Sequence, residues 1–318
     1  MAAKTGLTKS TNFSTVTARE VDFTTRFSDN WETLRNIMGI MRPIRKTPGT
    51  KLKSYETVAK TALQGGKTVG EGEEIPFTEF EVKEKSYADI EIAKYAKSVS
   101  IEAVNKYGAA IAVEKTDDRF LVELQNTVLN DFYTFLKTGT LKGTQKTWQR
   151  ALAIAKGAVL EKFAAINKDV TEIIGFCNIM DFYDYLGDKD ITVQTQFGLS
   201  YVKNYLGYST LFLMPSNVIE PKTVIAVPSE NIDLYYIDPS DSDFAKLGLD
   251  YTVSGETNLI GFHAEPDYSR ATGDSYAIMG MKLWAEYLDG IAIVTVGSSN
   301  TTPTVTPASI NTEQAGKS

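Results

Sequence analysis

Gly65-Gly-Lys-Thr-Val-Gly-Glu-Gly-Glu-Glu74 is the stretch on which the fold of this chain turns. It lies at the centre of residues 47–86, between strand-like pieces at 51–58 and 76–85. Charged residues fall on both faces of these pieces, so neither face reads as half-buried. A two-stranded ribbon of that kind is at best marginally stable alone. About forty residues that cannot stabilise themselves are uncommon inside a compact domain. Either the segment is a surface loop without fixed shape, or it is a long hairpin that takes its order from another molecule. The second alternative accounts for the strand-like flanks. A phosphate-binding loop does not fit, because the first glycine of Gly-x4-Gly-Lys-Thr would fall at Thr61, and no strand-to-helix context surrounds it.

The chain has 318 residues, 42% hydrophobic and 23% charged, which allows a sizeable core of ordinary globular composition. No run reaches the ~18 apolar residues of a membrane span. The N-terminus lacks the apolar core of a signal peptide, so no membrane association is expected. The single cysteine, Cys177, excludes a disulfide within the chain and fits folding in a cytosol. Charge is unevenly spread. Residues 1–46 carry eight basic and four acidic side chains, which leaves −11 for the rest of a chain whose net charge is −7. A basic arm can be drawn onto the acidic body of a neighbouring copy. The acidic total argues against tight, general DNA binding.

Residues 1–26, rich in Thr, Ser and Lys, read as extended or disordered unless a partner holds them. Phe27, Trp31, Leu34, Met38 and Met41 then form one stripe of an amphipathic helix that Pro43 stops. The helix could pack on its own body or on another subunit. Residues 87–101 read as a strand apolar on both faces, and 117–138 as a long helix of about 33 Å at ~1.5 Å per residue. A second helix covers 148–166. Strands at 172–177, 210–214, 223–228, 235–237 and 263–265, with a helix at 179–186, suggest a compact α/β unit. Segments at 276–281, 283–287 and 290–296 follow, and 298–318 reads as a loose tail.

The order of these parts resembles the major capsid protein family of tailed bacteriophages, with its Hong Kong 97-type fold. Val69-Gly-Glu-Gly-Glu-Glu-Ile-Pro76 is similar to the family's Gly-Glu-Gly stretch, and Lys97-Ser-Val-Ser-Ile-Glu102 to the Ser-x-Glu pattern before its spine helix. The resemblance implies an α+β subunit with an N-arm (1–46), an extended β-hairpin loop (47–86), a peripheral domain with a long spine helix (87–147 and 280–297), an α/β axial domain (148–279) and a flexible tail (298–318). It implies a structural protein, not an enzyme, that self-assembles in the host cytoplasm as hexamers and pentamers into an icosahedral virion shell around double-stranded DNA. A portal and a separate scaffolding protein are implied partners, since the sequence has no room for a scaffolding domain ahead of the arm. Some members cross-link neighbours through a lysine and an asparagine. Lys60 and Lys67 are conceivable donors, but no asparagine or glutamate can be matched, so cross-linking is not expected. An encapsulin-type nanocompartment shell is the first alternative, and a cytosolic α/β hydrolase or binding protein the second.

Candidate chemical sites are few. His263 is the one histidine and reads as structural, and Cys177 reads as a small buried hydrophobe. Asp238-Pro-Ser-Asp-Ser-Asp243 lacks the glycine and distal glutamate of a calcium loop and reads as a solvated acidic turn. No catalytic, cofactor or metal residue is expected. The residues expected to contact a neighbouring subunit are Phe27, Trp31, Arg42, Arg45, Lys60, Lys67, Glu71, Glu73 and Glu74.

Overall fold

The computed structural model describes residues 18–60, 69–70, 72–187, 193–196, 199–255 and 257–304. Among them the chain opens with helix α1 (Ala18–Met38), which begins well before the expected start at Phe27. Phe23, Phe27 and Trp31 recur at four-residue spacing, and all three are buried. The stripe therefore reaches back one more turn than the sequence suggested. Thr24 and Thr25, poor helix formers, obscured it. The buried Thr24 hydroxyl is satisfied inside the helix, donating to the Glu20 carbonyl at 2.9 Å. The helix ends at Gly39 and not at Pro43. Gly39 adopts φ +62°, and its N–H donates to the Arg35 carbonyl at 2.8 Å, a left-handed cap. Met41 leaves the helical stripe, and Pro43 enters strand β1 (Arg42–Lys46).

Strands β2 (Lys51–Ala59) and β3 (Phe80–Asp89) pair antiparallel as an isolated two-stranded ribbon. The strand expected at 87–101 is divided. Tyr87 belongs to β3, β4 is Ile92–Ser100, and Ile101 opens helix α2 (Ile101–Tyr107). The Ser100 hydroxyl accepts from the Ala103 N–H at 3.3 Å, an N-cap that ends the strand and starts the helix. A π-helical turn leads into α3 (Lys115–Leu136). Its buried face comprises Leu121, Leu124, Val128, Phe132 and Leu136, as the periodicity predicts, with Tyr133 added.

The remainder runs β5 (Leu141–Gln145), α4 (Trp148–Ala165), β6 (Ile173–Asn178), α5 (Ile179–Leu186), β7 (Gln194–Gln196), β8 (Leu199–Tyr205), β9 (Tyr208–Met214), β10 (Thr223–Pro228), β11 (Ile232–Ile237), α6 (Ser242–Ala245), β12 (Ile260–Asp267), β13 (Thr272–Ala285) and β14 (Ala292–Val296). The segments expected separately at 276–281 and 283–287 form the one long strand β13 up to Ala285. β5 and β7 carry too few large apolar residues to show as strands in the sequence, and β8, with Leu199, Tyr201 and Val202 buried, was missed. Thr301, in the segment expected to be a loose tail, exchanges both backbone bonds with Thr144 of β5.

Two larger sheets organise the body. One has seven strands in the order β5-β14-β10-β6-β9-β8-β7. The other has β1-β11-β13-β12, with β4 also on β13. The first core lies among α1, α3, the five-stranded sheet and one face of the seven-stranded sheet. The second lies between the opposite face of the seven-stranded sheet and helices α4 and α5. β6 shows the division: Ile174 and Phe176 enter the first core, and Ile173 and Cys177 the second. The sheets cut across the expected domain boundaries. β11, β12 and β4 all pair with β13, while β5 and β14 sit in the seven-stranded sheet. These pairings are long-range, and no contiguous reading of the chain encodes them.

Because α1 closes the first core, Trp31→Ala should destabilise the chain by about 3–5 kcal/mol in denaturant unfolding. Deletion of residues 1–46 should abolish cooperative folding. A truncated chain that unfolds at the wild-type midpoint would show that α1 is no part of the core.

Candidate assembly interface

The arm is clamped to its own body along the polar edge of α1. Arg19 donates to both Asp117 carboxylate oxygens, at 2.7 and 2.8 Å, and to the Ser275 hydroxyl at 3.0 Å. The Lys97 ammonium lies 2.5 Å from the same carboxylate. Burial pushes the Asp117 carboxyl up, but the hydrogen bonds from Arg19 and Lys97 outweigh it and hold the group below the ordinary carboxylate range. Burial draws the Lys97 ammonium down, against the pull of Asp117, and the nearby Arg19 charge adds to that. The two shifts value the pair oppositely. The geometry favours the aspartate, which collects donors from two side chains. Further along the helix, Arg26 donates to Asp118 at 2.5 Å, and the buried Glu20 accepts from the Ala264 N–H at 2.6 Å. Phe23 stacks on Phe262 with centroids 4.1 Å apart.

These contacts change the expected roles of the arm. Phe27 and Trp31, at 0% and 1% exposure, have no surface left for a neighbour and serve the subunit's own core. Arg42 pairs with Asp233 at 3.0 Å, and Arg45 with Asp238 at 3.2 Å and Asp241 at 3.6 Å. These two arginines therefore meet acids of the same chain, although both guanidinium groups keep solvent-facing surface. The turn at Asp238 is also less solvated than expected. Asp238 is buried and accepts from Ser240 and Asn258. Burial raises its carboxyl, but those bonds and Arg45 bring it below the usual range.

The ribbon is different. At its base Leu52 is buried. Register runs from Lys51 opposite Asp89 to Ala59 opposite Phe80, with an irregularity at Ser54/Tyr55. Beyond the last rung, the Lys60 N–H donates to the Glu79 carbonyl at 2.9 Å, and its ammonium to the Glu79 carboxylate at 2.7 Å. Glu73 accepts from the Gly70 N–H at 2.8 Å, and Glu74 is exposed. Lys67 and Glu71, with the Gly65–Thr68 stretch, lie outside the described residues. Ile75, Phe77, Phe80 and Val82 all face solvent, Phe77 at 92% exposure. The sequence reading missed this apolar ridge. Its signal was the Phe80-x-Val82 alternation beside Ile75-Pro-Phe77, overlooked among the glutamates. A second apolar surface, an open groove of about 360 Å³, lies between β4, α2 and the β12–β13 turn, lined in part by Val99, Ile101, Val104 and Tyr268.

Neither chemical candidate has an active-site setting. Cys177 is buried, and burial pushes its thiol up, away from reactivity. The His263 ring lies between Glu20, at 3.5 Å, and Glu265, at 3.8 Å, on the edge of the arm contact.

Held below the ordinary range, the Asp117 carboxylate contributes stability that is complete above its unfolded pKa of about 4. That contribution is lost as pH falls through the lower folded value. Asp117→Asn should cost roughly 3 kcal/mol at neutral pH and flatten the acid limb of the stability curve. An unchanged acid midpoint in the variant would remove Asp117 from this role.

No protein-family model matches the sequence, and no curated protein matches it. Solved structures do. The chain is similar to the SrpI encapsulin of Synechococcus elongatus PCC 7942 at 10% identity over 82% of this chain and 86% of that one, with a TM-score of 0.51. It is similar to a chain of the capsid of cyanophage P-SCSP1u at 11% identity over 81% and 87%, with a TM-score of 0.50. With the two sheets, the long helix α3 and the projecting ribbon, these likenesses show that the chain has the Hong Kong 97-type fold, that of phage capsid and encapsulin shells.

Proposed function

We propose that the chain is the major capsid protein of a tailed phage, a structural subunit that assembles with itself. The observation that supports this best is the ridge of Ile75, Phe77, Phe80 and Val82, exposed on a ribbon that projects from an otherwise well-filled body. Covering these side chains would contribute roughly 5 kcal/mol gross per contact, before the cost of association. The ridge and the apolar groove are unlike surfaces on one chain. A contact that joins unlike surfaces is head-to-tail and builds rings when the rotation closes. Rings of six and five, closing into an icosahedral shell, are the assembly this reading entails. Modest contacts repeated around closed rings give a stable whole through effective concentration.

The remaining parts of the proposal follow from charge and family likeness. The body is acidic, so packaged double-stranded DNA would be loosely held. A separate scaffolding protein and a portal would direct assembly in the host cytoplasm, and the product is the virion shell. Glu73, Glu74 and the exposed parts of Arg42 and Arg45 are proposed rim contacts, each worth ~0–1 kcal/mol. Lys60, Lys67 and Glu71 are proposed with them. The expected domain division stays a proposal in altered form, with the five-stranded sheet and α3 as the peripheral part and the seven-stranded sheet as the axial part.

The likeness to the encapsulin supports a second reading, a shell that encloses protein instead of DNA. The contents of purified particles separate the two: nucleic acid in one case, a cargo enzyme in the other.

Phe77→Ser combined with Phe80→Ser should leave the unfolding midpoint of the isolated chain nearly unchanged, because both side chains are already exposed. It should lower the yield of particles seen by electron microscopy at least tenfold. Particles as abundant as wild type would remove the ridge from the assembly contact and this reading's main support.

A further inference from the structure

Strands β12, β13 and β4 present three successive rungs to α1 and the start of α3. They are Phe262–Ala277–Tyr95, then Ala264–Ser275–Lys97, then Pro266–Gly273–Val99. Each lies two residues beyond the last, so all three share one face of the sheet.

The first rung is apolar and has an apolar cover. Phe23 stacks on Phe262, and Phe120 of α3 lies 6.0 Å from Phe23 between ring centroids. The second is polar and has a polar cover. Glu20 accepts from the Ala264 N–H, and Arg19 donates to Ser275 and to Asp117 of α3, which Lys97 also meets. The third rung is apolar again, and it lies in the open groove of about 360 Å³. Val113, four residues before Asp117, lines that groove from the side of the helices. Among the described residues of α1, only Arg19 lines it. A Cβ on Gly273 would meet nothing within 4 Å, so the middle of the rung is open. At the far end of the groove, Ile101 and Tyr268 are 60% and 91% exposed.

We propose that this groove is the docking site of residues 13–16 of the same chain, with Val16 over Gly273 and Phe13 against Ile101 and Tyr268. Those residues lie outside the described part, just ahead of α1. The contacts of α1 set their direction. Between Phe23 and Glu20 the helix steps back three residues, while its partner on β12 steps on two, from Phe262 to Ala264. One more such step brings residues 16–17 to Pro266. The distances agree. Three residues span at most about 10 Å, and rungs two residues apart are separated by about 7 Å. Arg19 is held by Asp117 and Ser275, so Val16 starts within reach of Gly273. The chemistry agrees as well. Phe13 and Val16 are the large apolar residues of Phe13-Ser-Thr-Val-Thr17. Residues 1–17 carry Lys4 and Lys9 and no acid, and the acid lining the groove is Asp267. A segment tethered beside its site has a high effective concentration there, so a small apolar anchor is enough. The inference does not rest on the capsid reading. In a shell, a neighbour's ridge would compete with this segment for the same surface.

Thiol protection tests the docking. Gly273→Cys places a reporter in the groove, and Cys177 is buried and does not compete. The reporter is made in the full chain and in the full chain with Phe13→Ser and Val16→Ser. Both are labelled with a maleimide as the unassembled size-exclusion fraction, so the readout is independent of shell formation. Labelling should be at least fivefold slower with the native segment than with the doubly substituted one. Val99→Cys, on the same rung, is the second reporter and decides the matter alone if Gly273→Cys does not fold. Equal rates in the two backgrounds overturn the proposal. So does protection that survives the double substitution and rises with protein concentration, since a second copy would then fill the groove.

Discussion

The aromatic face of α1 is what allows the two halves of this molecule to share a core. Phe23, Phe27 and Trp31 fill the space between β12 and α3, and Phe23 lies flat on Phe262. Removing that helix would expose the five-stranded sheet on one side and leave Asp117 without Arg19. The buried carboxylate would then have Lys97 alone to offset its charge, and an undercompensated buried charge is costly. The apolar face and the ion pairs therefore have different duties. The first supplies the stabilisation, and the second sets the position at which the helix can sit without stranding a charge.

The contrast between body and ribbon carries the functional argument. In the body, large side chains are buried on both faces of the seven-stranded sheet, and Arg19, Arg26, Arg42 and Arg45 find acids within the same chain. The ribbon has backbone pairing, and it holds four large apolar side chains in water. A two-stranded ribbon with that surface is a poor solution for a monomer and a reasonable one for a subunit. Helix α1, part of the arm that the charge distribution marked as reaching for a neighbour, completes its own subunit instead.

Edges raise the same question at the level of the backbone. β5 is an edge strand, and the chain turns back after β14 to cover it. Gly143 and Pro303 only make sense together: one leaves out a side chain so that the other can enter, and the proline ends the pairing that Thr301 began.

The long helix α3 and the glycine-rich ribbon were legible because each rests on local pattern: apolar residues at helical spacing and charges on both strand faces. The order of those parts was enough to suggest the fold. The extent of α1 was not legible, because Thr24 and Thr25 weaken a helix that burial of Phe23 then enforces. Nor were β5 and β7, whose short polar sequences become strands only beside their neighbours. By itself, the sequence determined which helices and strands had apolar faces, but not the exposed apolar residues of the ribbon. Only the tertiary structure decided where those faces met. It placed Phe27 and Trp31 inside the subunit, matched Arg42 and Arg45 with acids far along the chain, and left the ribbon exposed, because such contacts depend on distance in space and not on spacing in sequence.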